Sequence, residues 1–165
     1  MEIVNDFQTS VRRALSEIDP HYEQYDALVI CGTHAPHDTE EMIQKIKEAR
    51  VSFRPFLGIC FGHQLACIEW ARNIMRIEDA TSQEFGEGTF VVKKRPSLKV
   101  GLHDGETWWS NYEVIGKVEK DFLDYKPLTM ITSAFHPEYQ SSKDRPHSLL
   151  VSFIESCRVY KRMPQ

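Results

Sequence analysis

The sequence predicts a single-domain α/β protein, with a mostly parallel sheet covered by helices on both faces. Three observations carry that prediction. Strand-like and helix-like segments alternate along the chain, the pattern that builds such sheets. The strand-like segments are short apolar runs suited to buried strands. No repeat or low-complexity tract interrupts the 165 residues, a length that buries one sizeable core without disulfides or metal and leaves no room for a second catalytic domain.

The elements follow in order. Val11, Ala14, Leu15 and Ile18 mark an amphipathic helix that ends by Pro20. Ala27 to Ile30 reads as a buried strand. Asp38 or Thr39 is placed to cap a helix running to about Ala49. Glu40 and Glu41 in its first turn and Lys45, Lys47 and Arg50 toward its end match the helix dipole. Pro55 to Ile59 is a second buried strand, and from Gln64 onward Leu65, Ile68, Ala71, Ile74 and Met75 recur at helical spacing. Thr89 to Lys94, Leu98 to His103 and Thr129 to Phe135 read as further strands, and Leu149 to Arg162 as a closing helix. Ligands of such sheets collect at the carboxyl ends of the strands. Gly32, Cys60 and His136 each follow a strand, so the three are expected to meet at one edge.

Charge and cysteine usage narrow the function classes. The net charge is -4 and the pI about 6.0. Acids and bases are interspersed, so nucleic acid is not expected as a partner. No basic-then-apolar leader opens the sequence and no run approaches the length of a membrane span, which predicts a soluble cytoplasmic protein. Cys31, Cys60, Cys67 and Cys157 follow no compact spacing, so reduced thiols are expected. Cys31, His34, His37 and His63 are residue types that zinc accepts, but their spacing matches no closed site. No metal and no cofactor are expected.

The chemistry centres on Cys60. In Leu57-Gly58-Ile59-Cys60-Phe61-Gly62-His63-Gln64 a strand-like run meets a helix-like run, with small residues on both sides of the thiol. That is the arrangement of a sharp elbow that exposes a nucleophile. The following helix would aim its free amides and positive dipole end at the sulfur, favouring thiolate. A buried core cysteine in a glycine-rich turn is the alternative reading. Downstream, Phe135-His136-Pro137-Glu138 supplies an imidazole and a carboxylate two residues apart, and proline biases His136 toward extended backbone. On an extended chain the two side chains project to the same side. An imidazole takes the thiol proton, and a carboxylate behind it fixes its tautomer. Trp108, Trp109 and Tyr112 read as core aromatics or as an exposed partner surface.

These motifs resemble the class I (triad) glutamine amidotransferases, whose elbow reads Gly-x-Cys-x-Gly-x-Gln and whose distal motif is His-Pro-Glu. The similarity is closest to the glutaminase domain of the CTP synthase family. Pro55 to Asn73, Ala80 to Phe85, Asn111 to Val114 and Phe135 to Arg145 all resemble stretches of that domain. Similarity thus extends, with gaps, over nearly the whole chain.

The resemblance implies a class I amidotransferase-like, flavodoxin-like fold and L-glutamine as substrate. It implies Cys60, His136 and Glu138 as catalytic residues and the backbone amides of Phe61 and Thr33 as oxyanion donors. Gly32, Gln64, Glu84, Asn111 and Tyr112 would bind substrate, with Glu84 a fitting partner for an α-ammonium group. It also implies a separate ATP-dependent synthetase subunit, or a homo-oligomer, as the consumer of ammonia. No synthetase domain is expected in this chain. The family's Pro-Gly-Gly-Phe-Gly is matched by Cys31-Gly32-Thr33-His34-Ala35, so Thr33 would carry strain wherever the position demanded a glycine conformation. His34, His37 and Asn111 replace an aromatic and two arginines. The chain is expected to begin beyond the family's first core strand. A second expectation is a glutamine-binding or regulatory module of the same fold with little turnover.

Overall fold

The computed structural model describes residues 1–164. Four short strands, β1 (Glu2–Val4), β2 (Leu28–Ile30), β3 (Phe56–Ile59) and β7 (Met130–Ser133), form an all-parallel sheet in the order β1-β2-β3-β7. Side chains alternate across each strand, which divides the core in two. Leu28, Ile30, Phe56 and Met130 pack with α2 (Thr39–Ser52), α3 (Phe61–Asn73) and α4 (Gly116–Tyr125). Val29, Leu57, Ile59 and Ile131 pack with α1 (Thr9–Ile18) and α5 (Ser148–Arg162) on the other face. The predicted class, helices on both faces of a parallel sheet, is the one observed.

A second sheet stands beside the first. In it β4 (Ala80–Ser82) runs parallel to β5 (Thr89–His103), which pairs antiparallel with β6 (Glu106–Val114). The β5–β6 hairpin reaches back over the carboxyl edge of the main sheet. The His136 N–H donates to the Thr107 carbonyl at 2.8 Å, Gln140 Nε2 donates to Thr107 Oγ1 at 2.6 Å, and His147 pairs with Glu106 at 2.8 Å.

Several sequence expectations are corrected. Thr89 to Lys94 and Leu98 to His103 are one strand, interrupted by a register shift opposite β6 between Lys94 and Lys99. The proline in that interval, Pro96, cannot donate a ladder hydrogen bond, and an irregularity accommodates it. Strands β4 and β6 and helix α4 were not anticipated. Strand β4 has only three residues, whereas α4, with Val118 and Phe122 buried four residues apart, and β6, with Trp108, Trp109, Tyr112 and Val114, carried apolar signals that could have been read. Glu2–Val4 adds a parallel strand outside β2, where no strand was expected. Asp38 occupies the position before α2 but does not cap it: its backbone is left-handed (φ 50°), its side chain makes no capping bond, and its carboxylate pairs with His37 at 3.1 Å. The helix runs three residues beyond Ala49 and stops at Phe53, also left-handed at φ 58°.

Candidate active site

The elbow is as tight as its sequence implies. Cys60 joins β3 to α3 with φ 54° and ψ -98°, a conformation costly for a residue with a side chain. Its N–H donates to the Ser133 carbonyl at 2.8 Å, tying the turn to the end of β7. The flanking glycines are there for space. A Cβ on Gly58 would lie 2.8 Å from the Gly62 carbonyl carbon and oxygen, and one on Gly62 would collide with the Ile30 carbonyl oxygen. Helix α3 can therefore begin directly against β2 and β3, with Phe61 as its first residue and an N–H that has no partner within the helix.

Of the four cysteines, Cys60 is the one not buried. Burial pushes the Cys31 and Cys157 thiols up to about 12 and raises Cys67 as well, so these three are inert packing residues. The Cys60 thiol donates to the Trp109 carbonyl oxygen at 3.5 Å and lies close enough to the His136 imidazole to raise its pKa.

His136 and Glu138 come together by a different local geometry from the expected extended chain. Pro137 opens a short 3-10 turn, Pro137–Tyr139, and Glu138 folds back so that its Oε2 lies 3.0 Å from His136 Nδ1. Burial lowers the His136 pKa more than any other single effect. The neighbouring Cys60 and the hydrogen-bonded, charged Glu138 together outweigh it, and the pKa rises to about 10. Arg13 on α1 fixes this turn from outside, donating to the backbone carbonyls of Glu138 at 2.8 Å and Ser141 at 3.2 Å.

Next to Cys60 lies a small polar pocket of about 100 Å³, bordered by Thr33, Phe61, Gln64, Glu84, Asn111 and Tyr112. All the proposed substrate contacts except Gly32 border it. Gly32 lies behind the imidazole, where a Cβ would stand 3.4 Å from His136 Cε1. Burial raises the Glu84 carboxyl pKa, and burial together with the Glu84 charge raises that of Tyr112. Thr33 is free of positive-φ strain: it is not among the residues with left-handed backbone, and its hydroxyl bonds to Asp6 at 2.9 Å and accepts the Ala35 N–H at 3.0 Å. The hydroxyl thus holds a loop that the replaced glycine could not brace.

Sequence reasoning missed four participants. Thr107 and Trp109 bring main-chain carbonyls to His136 and Cys60, which leave no residue-type signature, and Arg13 reaches the turn from a helix distant in sequence. His63, next to the elbow glycine, is buried with Nδ1 at 2.9 Å from Thr132 Oγ1 and Nε2 at 2.8 Å from Glu119. Its position on the elbow helix was the available signal. No group of three or more His, Cys, Asp or Glu suited to a metal ion occurs among the described residues. No helix among them is long and apolar enough to cross a membrane.

A thiol, an imidazole and a carboxylate thus stand together at the carboxyl edge of a parallel sheet in an α/β protein, beside a polar pocket. The chain belongs to the class I glutamine amidotransferase family, whose model matches residues 4–156. Among curated relatives it is 39% identical to CTP synthase of Pelobacter propionicus over 96% of this chain and 40% of that protein. It is 31% identical to CTP synthase of Methanoregula boonei over 85% of this chain and 35% of that protein. The chain therefore spans well under half the length of these relatives. Among solved structures it is similar to the glutaminase domain of Trypanosoma brucei CTPS with bound acivicin, with a TM-score of 0.75 at 17% identity, covering 95% of this chain and 92% of that one. That likeness establishes the fold.

Proposed function

We propose that the protein is a cysteine-dependent glutamine amidohydrolase that releases ammonia for an ATP-dependent synthetase of the CTP synthase type or a related one. The observation that carries this reading is the convergence of Cys60 with the hydrogen-bonded His136–Glu138 pair beside a polar pocket bordered by Gln64 and Glu84. Glu84, whose carboxyl pKa is raised by burial, borders this pocket and is matched to the α-ammonium group of glutamine.

In this mechanism Cys60 Sγ attacks the side-chain amide carbon of glutamine, and the carbonyl oxygen becomes an oxyanion held by the Phe61 and Thr33 amides. One such donor is worth about 3 kcal/mol of transition-state stabilisation. The C–N bond then breaks, the nitrogen leaves as ammonia with a proton from His136, and the acyl group remains as a thioester on Cys60. His136 next takes a proton from water, the hydroxyl adds to the thioester carbon, and the C–S bond breaks to release glutamate. Glu138 holds the imidazole through Nδ1, so that Nε2 does the proton transfers.

The test is glutamate formation from glutamine by the purified protein, compared with Cys60→Ala. Cys60-dependent glutamate together with one-to-one labelling of Cys60 by a glutamine-like electrophile is expected. Tight glutamine binding with neither turnover nor labelling, even with a CTP-synthase-type synthetase present, would overturn the reading and favour a binding module.

A further inference from the structure

A second hollow opens beside the polar pocket. It measures about 400 Å³ and is walled by Phe7, His34, Val100, Trp109 and Tyr139, with His136 also reaching it. His34 and Trp109 line both spaces. The wall is built from rings in mutual contact: Phe7 and His34 at 4.6 Å between centroids, His34 and Trp109 at 6.3 Å, and His136 and Tyr139 at 5.3 Å.

The position of this hollow follows from the roles proposed for Cys60 and His136. Cys60 lines the polar pocket, whereas His136 lines the apolar hollow, and the two spaces meet at their shared walls, His34 and Trp109. The acyl group binds on the sulfur side. The nitrogen that leaves must lie on the side of the imidazole that protonates it. A substituent on that nitrogen therefore points into the apolar hollow. Ammonia needs no such space: a small polar molecule takes about 30 Å³. A cavity some ten times larger, lined by aromatic rings, has the size and chemistry of a ring-bearing group.

We propose that this hollow is a leaving-amine site, and that the substrate class includes γ-glutamyl amides carrying an apolar, ring-sized substituent on nitrogen. Such an amide is cleaved with the same atom balance as glutamine. Sγ bonds to the γ-carbonyl carbon, the C–N bond breaks, the amine departs with the His136 proton, and water releases glutamate from the thioester. The proposal rests on the amidohydrolase reading above, and the two are separable by experiment.

The probe is L-γ-glutamylbenzylamide, assayed beside L-glutamine with the intact chain and with Cys60→Ala. The expected result is Cys60-dependent benzylamine release, with kcat/KM within tenfold of that for glutamine or above it. Val100→Trp, which fills the exposed end of the hollow, should lower the ratio of benzylamide to glutamine kcat/KM at least tenfold, with residual glutamine turnover reporting a folded variant. An independent measurement adds benzylamine to the wild-type chain during glutamine turnover. Capture of the thioester as γ-glutamylbenzylamide is expected, and a saturating dependence on benzylamine marks a bound acceptor. Turnover of glutamine with neither cleavage nor formation of the benzylamide overturns this inference and leaves the amidohydrolase reading standing. An unchanged ratio in Val100→Trp also overturns it. Absence of Cys60-dependent turnover of either compound overturns both.

Discussion

Nδ1 of His136 lies 3.0 Å from Oε2 of Glu138 in a setting where both residues are almost fully buried, 4% and 1% exposed, and where the other carboxylate oxygen of Glu138 is buried with no hydrogen-bond partner. The interaction of the imidazolium with Glu138 operates away from water, and such a pair is strong because little solvent screens it. The site is thus organised to keep a proton on His136.

That proton gives a pH prediction. The folded pKa of His136, about 10, lies above its ordinary 6.5. The stabilisation it contributes is full below about pH 6.5 and is lost as pH rises through about 10. Urea unfolding across this range should show stability falling with pH, with a shallower fall in Glu138→Gln. Glutaminase activity should keep its alkaline limb near pH 10, whereas Glu138→Gln should shift that limb downward and lower kcat/KM about 10²-fold.

Glu84 predicts the opposite limb. Its pKa is raised by burial, and the charged form is the one that pairs with an α-ammonium group. Glutamine binding should weaken as pH falls through the Glu84 pKa, read as a rising KM. Glu84→Gln should raise KM about tenfold or more, the value of one lost charge-assisted hydrogen bond, and flatten that acidic dependence.

The elbow predicts a conflict between stability and chemistry. Cys60 sits at φ 54°, where glycine is relaxed and other residues are strained. Cys60→Gly should therefore be more stable than Cys60→Ala by about 1 kcal/mol in denaturant titrations, with both inactive. Gly62→Ala should act in the other sense, since its Cβ has no room against the Ile30 carbonyl. A lower Tm and a displaced, inactive thiol are expected.

Away from the site, Arg50 of α2 grips Glu69 of α3 with both carboxylate oxygens at 2.9 Å from Nε and a further bond of 2.7 Å from a terminal nitrogen. Glu69 has no solvent exposure. Arg50→Met strands a buried carboxylate and should cost about 3 kcal/mol or more of stability. Arg50→Met combined with Glu69→Leu should recover most of it, as a double-mutant cycle would measure.

The sequence by itself determined the fold class, the elbow at Cys60 and the His136–Glu138 pair. These reside in local signals: short apolar runs, glycines where a Cβ cannot fit, and residues two apart in one segment. It also identified Gln64, Glu84, Asn111 and Tyr112, which border one pocket with Cys60, although they come from separate stretches. Strand β6, with Trp108, Trp109, Tyr112 and Val114, and α4, with Val118 and Phe122 buried four residues apart, did carry apolar signals. The pairing of β4, β5 and β6 into a second sheet was not legible, because the partners of a strand are set by tertiary packing. Nor could the sequence reveal that the β5–β6 hairpin folds back to set Thr107 on the His136 backbone and the Trp109 carbonyl beside Cys60. Those contacts use main-chain atoms, which every residue type carries alike. The division of the site into a polar pocket on the thiol side and an apolar hollow on the imidazole side was likewise decided by tertiary structure. It depends on where Trp109 and His34 stand between the two, and only the packing of the hairpin over the sheet places them there.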